Sequence, residues 1–141
     1  MAVRVIKYDP QATFNGIARV AISEGSLCGL NSAGTVDLAD ADATHGATAT
    51  NRAVGFAIKA AVAGAMVALA PIATVDGFSA LTTGGICYLD VTAGGITQTK
   101  PVTNTFTQQI VGVARTATEI LGHVTAPLQY QTAGNSTLTS L

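Results

Sequence analysis

The stretch ICYLDVTAGGITQT, residues 86–99, contains the local pattern from which the architecture of this chain follows. Residues 86–90 are mostly apolar and residues 96–99 mix apolar and polar side chains, which is typical of short β-strands. Between these two segments, Gly94 and Gly95 supply the positive φ angle that a tight turn requires. The stretch therefore predicts a β-hairpin.

An earlier stretch, SLCGLNSAGTVDL at residues 26–38, repeats the same order of strand, glycine-containing turn and strand. Within it, residues 27–30 (LCGL) match residues 86–89 (ICYL) at an offset of 59. Two further matches follow in the same order: residues 54–57 with 111–114 at an offset of 57, and residues 62–64 with 120–122 at an offset of 58. This duplication predicts an all-β fold, a small β-barrel or β-sandwich built from two related halves, with extended N- and C-terminal arms.

The pattern divides the chain into three regions. Residues 23–125 are predicted to form a single β domain, with the internal repeat at about 25–69 and 84–125. Residues 1–22 are predicted to be an N-terminal arm and residues 126–141 a C-terminal extended tail, because such segments can add a strand to a neighbour's sheet. A frayed terminus is the alternative for each. The side chains that we expect to contact a partner protein are Val3, Val5, Tyr8, Leu128, Tyr130 and Leu138.

Residues 60–73 (AAVAGAMVALAPIA) form a long apolar run. Its 14 residues fall short of the roughly 20 that a membrane-spanning helix needs, so no membrane partner is expected. Within the run, residues 61–69 are predicted as a strand because their counterpart in the second half is β-branched, and an alanine-rich helix is the alternative. Two polar loops, residues 38–51 and 100–108, are expected on an exposed or contacting rim.

The composition excludes several classes of partner. Charged residues are 11% of the 141, and seven basic side chains nearly balance eight acidic ones, so nucleic-acid binding through clustered positive charge is not expected. Aromatic residues are 5% and tryptophan is absent, which disfavours a sugar-binding face or a small-molecule pocket. A surface of threonine, serine and alanine with few charges is instead typical of contact with another protein.

The sequence carries no recognisable catalytic or ligand motif, so we expect neither an enzyme nor a bound cofactor or metal. Cys28 and Cys87 are expected to be reduced, buried and inert, since the N-terminus lacks the pattern of a secretory signal. His45 falls in a polar loop and His123 in a predicted strand. Asp40 begins a weak likeness to a calcium loop, which lacks the closing glutamate.

The second half resembles a pattern common in the small decoration or head-fibre-type proteins of tailed-bacteriophage heads. The resemblance depends on residues 84–90 (GGICYLD), 93–97 (AGGIT) and 109–114 (QIVGVA), and on the low aromatic content. It covers about residues 84–125, and it reaches residues 25–69 through the internal repeat.

This resemblance implies a capsid decoration, or cement, protein: a structural virion protein on the outer surface of the capsid, made in the host cytoplasm. Its partners would be the major capsid protein and other copies of itself, most often as a homotrimer. The alternatives are another virion component, such as a head-fibre base, a tail protein or a minor capsid protein, and, from another class, a small β-barrel carbohydrate-binding module.

Overall fold

The computed structural model describes residues 2–129 and 139–140, and within them the fold is all-β, which confirms the predicted class. The helical conformation there is limited to one 3-10 turn at Pro10–Ala12. The strands are β1 (Arg4–Tyr8), β2 (Phe14–Ile17), β3 (Leu27–Leu30), β4 (Val36–Leu38), β5 (Gly55–Ala57), β6 (Met66–Ala70), β7 (Ile72–Asp76), β8 (Ile86–Leu89), β9 (Ile96–Thr97), β10 (Thr107–Gln108), β11 (Ile110–Ala114), β12 (Glu119–His123), β13 (Leu128–Gln129) and β14 (Thr139–Ser140).

Two antiparallel sheets repeat one strand order, so the two related halves are visible in the topology. The first sheet has the order β2-β6-β5-β3-β4, and the second has β7-β12-β11-β8-β9 with β1 added outside β7. A third, small sheet has the order β10-β13-β14. The sheets of the described residues do not close into a barrel, and the arrangement is sandwich-like.

The hairpin turns lie where the glycines predict them. β3 and β4 are joined through Gly34 at φ +84°, and β8 and β9 through Gly94 at φ +78°. One of the three sequence matches is not structurally equivalent, however. Residues 62–64 lie in the turn before β6, whereas residues 120–122 lie inside β12.

The main core lies between the first and second sheets. Leu27 and Phe56 of the first sheet pack in one apolar cluster with Val75 and Ile120 of the second. Gly122 permits the close approach, because a Cβ atom at this position would lie 2.5 Å from Cε2 of Phe56. The two halves therefore form one hydrophobic unit.

The opposite face of the first sheet is covered by the chain itself. Cys28, Val67 and Leu69 form a second apolar cluster with Ala18 and Ile22, which lie in the segment after β2. The first sheet is consequently buried on both faces.

Residues 4–22 belong to the folded domain, so the predicted N-terminal arm is wrong over this range. β1 pairs antiparallel with β7 and β2 with β6. Ala18 and Ile22 are buried in the second cluster. The alternation of apolar and polar side chains in β1 led to the prediction of a strand in a neighbour's sheet. In the structure, β1 lies at the edge of the chain's own sheet. The alternation is the same for a strand in either sheet, so the sequence pattern does not distinguish them.

The ambiguous segment and one polar loop also differ from expectation in part. Residues 66–69 lie in β6, so the strand prediction for 61–69 is confirmed in this part. The helix alternative is wrong, and residues 62–65 form a turn.

Loop 38–51 is not a fully exposed rim. Ala39, Ala41 and Thr50 are buried, and the Ala41 amide donates to the Asp90 carbonyl at 2.9 Å, which attaches the loop to the second half.

Gln109 joins the halves through hydrogen bonds in the interior. This side chain is 1% exposed, accepts from the Ala53 amide at 2.8 Å, and donates to the carbonyls of Ala53 and Thr125 at 2.7 Å each. One amide side chain thereby satisfies both backbone groups of the buried Ala53 and also bonds the carbonyl of Thr125.

Candidate protein-binding face

The outward side of the second sheet carries aliphatic side chains that lie beside one another on neighbouring strands. Strand register aligns Lys7 with Thr74, Thr74 with Leu121, Leu121 with Val113, and Val113 with Ile86 across four strand pairs. We call the large aliphatic residues on this side the outer face. Their exposed fractions run from 40% to 52%, and they are Ile72, Ile86, Ile110, Val113 and Leu121.

The periodicity of the strands explains how one sheet has a buried side and an apolar exposed side. Successive side chains of a strand point to opposite faces, so Val75 and Ile120 point into the core while Leu121 points outward. The β11–β8 register shifts between Ile110 and Gly112. This bulge allows Ile110 and Val113 to be exposed together although they are three residues apart.

The internal repeat shows what kind of surface the outer face is. Ile86 and Val113 match Leu27 and Phe56 of the first half at the offsets of 59 and 57. Leu27 and Phe56 are fully buried because the second sheet packs on them. Within the described residues, the outer face is thus the counterpart of a sheet-packing surface, but it stays half exposed.

Two ion pairs lie at the margins of the outer face, and Lys7 lies at the β1 end of the aligned residues themselves. Arg4 forms an ion pair with Asp76, with Nη2 and Oδ2 at 2.7 Å, and Arg115 pairs with Glu119 at 2.8 Å. The hydrogen bond to Asp76 raises the pKa of the Arg4 guanidinium. Because these two carboxylates already have cationic partners, a protein that covers this part of the sheet does not have to neutralise them.

Two grooves border the outer face, and each contains one of the predicted contact residues. The groove beside β1, which we call the Tyr8 groove, has a volume of about 390 Å³ and is lined by Lys7, Tyr8, Asp9, Ile72 and Leu121, among others. The groove beside β13, the Leu128 groove, has a volume of about 190 Å³, and its lining includes Tyr88, Ile110 and Leu128.

The other predicted contact residues fall elsewhere. Val3 and Val5 are half-buried and pack against the main core, which contradicts their assignment to a free arm. Tyr130 and Leu138 lie outside the described residues, so their predicted contacts stay predictions. In the structure, Tyr8 and Leu128 thus lie at the borders of one sheet face, whereas Val3 and Val5 lie against the main core.

The groups that usually carry chemistry are dispersed. Cys28 and Cys87 are free and buried, as predicted, and burial raises the pKa of Cys28 to about 12. His45 Nδ1 lies 3.1 Å from the Thr50 hydroxyl, and His123 is exposed on β12. The described residues contain no group of three or more potential metal ligands, and none of their helices has the length and apolarity to cross a membrane.

Two features were missed at the level of sequence. The outer face was not predicted, although the alternation in residues 119–123 (EILGH) gives its period, because the pattern does not say which face is covered. An ion pair with a buried carboxylate was also missed. Nη2 of the exposed Arg19 lies 2.7 Å from Oδ1 of the buried Asp37, and Asn31 Nδ2 donates to the same carboxylate at 2.7 Å. This network fixes the segment that covers the first sheet.

No protein-family model matches the chain, and no curated protein matches it.

Proposed function

We propose that this chain is a structural virion protein that binds the outer surface of a phage capsid and cements neighbouring subunits of the major capsid protein. The observation that carries the proposal is the outer face, a set of half-exposed aliphatic side chains on one sheet, bordered by Tyr8 and Leu128. The resemblance of residues 84–125 to phage decoration proteins supplies the partner. Of the outer face, Ile86, Ile110 and Val113 form the part next to the Leu128 groove, and we assign this part to the capsid.

A half-exposed aliphatic surface of this kind can bind another protein by burying apolar area. Burial of each half-exposed aliphatic side chain contributes on the order of 1 kcal/mol, so one copy binds through several small apolar gains. A homotrimer presents three faces to a symmetric lattice, and simultaneous engagement multiplies weak single contacts. Separation of two capsid subunits then requires breaking the decoration interface as well.

The proposal is tested with Val113→Lys and Ile86→Lys. Both side chains are exposed on strands, so the variants are expected to fold with unchanged thermal midpoints. Binding to capsids prepared without the protein, measured by co-sedimentation, is expected to weaken about tenfold or more for each variant, because a lysine must be desolvated in an apolar interface. Ile17→Lys, which changes an exposed strand residue of the first sheet, is the matched control and is expected to bind normally.

Wild-type protein that does not co-sediment with capsids would contradict the assignment to the capsid surface. Electron microscopy of labelled particles then distinguishes a head-fibre base or tail protein, located at a single site on the virion, from a protein absent from the particle. Normal binding of both lysine variants would leave the capsid role intact and overturn the assignment of this face.

A further inference from the structure

The second sheet ends in a strand that the internal repeat does not supply. β1 lies outside β7, whereas β2, the equivalent strand of the first sheet, has no strand outside it within the described residues. In the same residues, β1 pairs with β7 on one side, and its other side is a free edge. Unpaired backbone groups on a free edge are a template for a strand of another chain unless something blocks them.

The backbone groups of Val5 face this free edge. The Val124 amide donates to the Pro71 carbonyl at 3.0 Å, which extends the pairing of β12 with β7 by one residue. Because the backbone groups of a strand alternate between its two edges, those of Val75 face β12 and those of Asp76 face β1. Val5 is in register with Val75, so its amide and its carbonyl point away from β7.

Glu24 occupies the place on this edge where another strand would bind. Its Oε2 atom accepts from the Val5 amide at 2.9 Å. The next residue, Gly25, lets the turn before β3 approach the N-terminal segment, since a Cβ atom there would overlap Cγ1 of Val3. At the offset of 59, the second half has Thr83 in place of Glu24, so the turn itself does not require a glutamate.

A bulge and a lysine protect the rest of the same edge. The register of β1 with β7 shifts between Val5 and Lys7, which makes the strand irregular beyond Val5. Bulges and lysines are two of the ways in which proteins prevent the addition of strands at a sheet edge. The regular part of the edge lies before both, and this is the part that Glu24 caps.

We propose that the Glu24 carboxylate blocks the free edge of β1 against the β1 strand of a second copy. Its oxygen takes the place of the carbonyl that an incoming strand would present to the Val5 amide. Without it, two copies of β1 can pair antiparallel about Val5, because the amide and carbonyl of each Val5 then meet their complements in the other copy. This register places Arg4 opposite Ile6, so like charges do not face each other. The inference concerns the control of self-association and does not depend on capsid binding.

The first test compares Glu24→Ala with Glu24→Gln and Asp76→Ala, with masses in solution measured by light scattering over a concentration series. Glu24→Ala uncaps the edge, and its mass is expected to become at least double that of the wild type. Glu24→Gln keeps an acceptor oxygen and is expected to have the wild-type mass. Asp76→Ala is the matched control and is also expected to have the wild-type mass, since it removes the partner of Arg4 but leaves the Val5 amide capped.

A double variant tests the Val5 amide directly. Proline has no amide hydrogen and is tolerated at a sheet edge where that amide faces outward. Glu24→Ala combined with Val5→Pro is therefore expected to return to the wild-type mass. Glu24→Asp, whose side chain is one methylene too short for the Val5 amide, is expected to associate as Glu24→Ala does, and it keeps the test decisive if Glu24→Ala does not fold.

Three outcomes would overturn the proposal, with circular dichroism and thermal melting used to establish that the variants are folded. The first is a wild-type mass for the folded uncapped variants at every concentration. The second is association of Asp76→Ala, because a loosened β1 and not the lost cap would then be the cause. The third is association that persists in the double variant, which has no Val5 amide to pair.

Discussion

At the scale of residues, several polar side chains in the interior of this protein have hydrogen-bond or ion-pair partners. Gln109 satisfies three backbone groups, and Asp37 has both Arg19 and Asn31. Asp40 differs, because its carboxylate accepts from the Asp42 amide at 3.2 Å but lies near other carboxylates. Burial, followed by the interaction with Asp42, raises the pKa of Asp40 to about 6.

This shift predicts a pH dependence of stability. The folded chain holds a proton on Asp40 that the unfolded chain, with an ordinary pKa of 3.8, releases earlier. The contribution of Asp40 to stability is therefore largest below about pH 4, falls as the pH rises to about 6, and is constant above. Asp40→Asn keeps the acceptor oxygen and is expected to raise the free energy of unfolding at pH 7 by about 1 kcal/mol, after allowance for solvent screening.

Urea unfolding at several pH values measures this effect. The Asp40→Asn profile is expected to be flatter than that of the wild type between about pH 4 and pH 6. Asp9→Asn is the control, since Asp9 also accepts a backbone hydrogen bond, from Gln11, but is exposed. Equal slopes for Asp40→Asn and the wild type would contradict the assignment.

At the scale of elements, the strands differ in how many of their faces are covered. β3, β5 and β6 of the first sheet lie between two apolar clusters, whereas β8, β11 and β12 have one buried and one exposed side. The close contact of the two sheets depends on Gly122 of β12, because the Phe56 ring occupies the space where a side chain would begin.

We therefore expect Gly122→Ala to lower the free energy of unfolding by about 2 kcal/mol, because overpacking forces a shift of the sheets. The added Cβ would lie 2.5 Å from the Phe56 ring and 2.8 Å from the backbone oxygen of Ala73, and a backbone atom does not move aside easily. Gly46→Ala is the matched control, since nothing lies within 4 Å of a Cβ there. Denaturant unfolding measures both, and equal stabilities for the two variants would be inconsistent with this packing.

At the scale of the whole molecule, the N-terminal segment completes the sandwich. β1 covers the β7 edge of the second sheet, Val3 and Val5 pack against the main core, and Arg4 pairs with Asp76. These interactions attach the segment to its own chain, so its role in the structure is to complete the second sheet and the main core.

Deletion of residues 1–12 is accordingly expected to destabilise the fold by about 3 kcal/mol, through the lost burial of two valines, the lost strand pairing and a newly exposed edge. This corresponds to a fall of roughly 10 °C in the melting temperature, measured by calorimetry. Ile6→Thr, which changes an exposed side chain of β1, is expected to melt within a few degrees of the wild type. A truncated chain with an unchanged melting temperature would show that the segment contributes nothing to the domain.

Local patterns predicted much of the fold because strands and tight turns depend on nearby residues. The hairpins at Gly34 and Gly94 follow from turn chemistry, and the duplication indicated that the two halves carry related strand segments. The candidate site was predicted only through Tyr8 and Leu128, at its borders. Its centre was missed because the bulge between Ile110 and Gly112 breaks the simple alternation, and because alternation defines two faces without ranking them.

The sequence by itself determined the all-β class, the turns and the two related halves, since each depends on local periodicity or on comparison within the chain. The tertiary structure alone decided which faces are covered. It placed Val3 and Val5 on the core, sandwiched the first sheet between two clusters, and left the outer face of the second sheet half exposed. The physical reason is that burial depends on which surfaces meet, and residues far apart in the chain meet only after the sheets have packed.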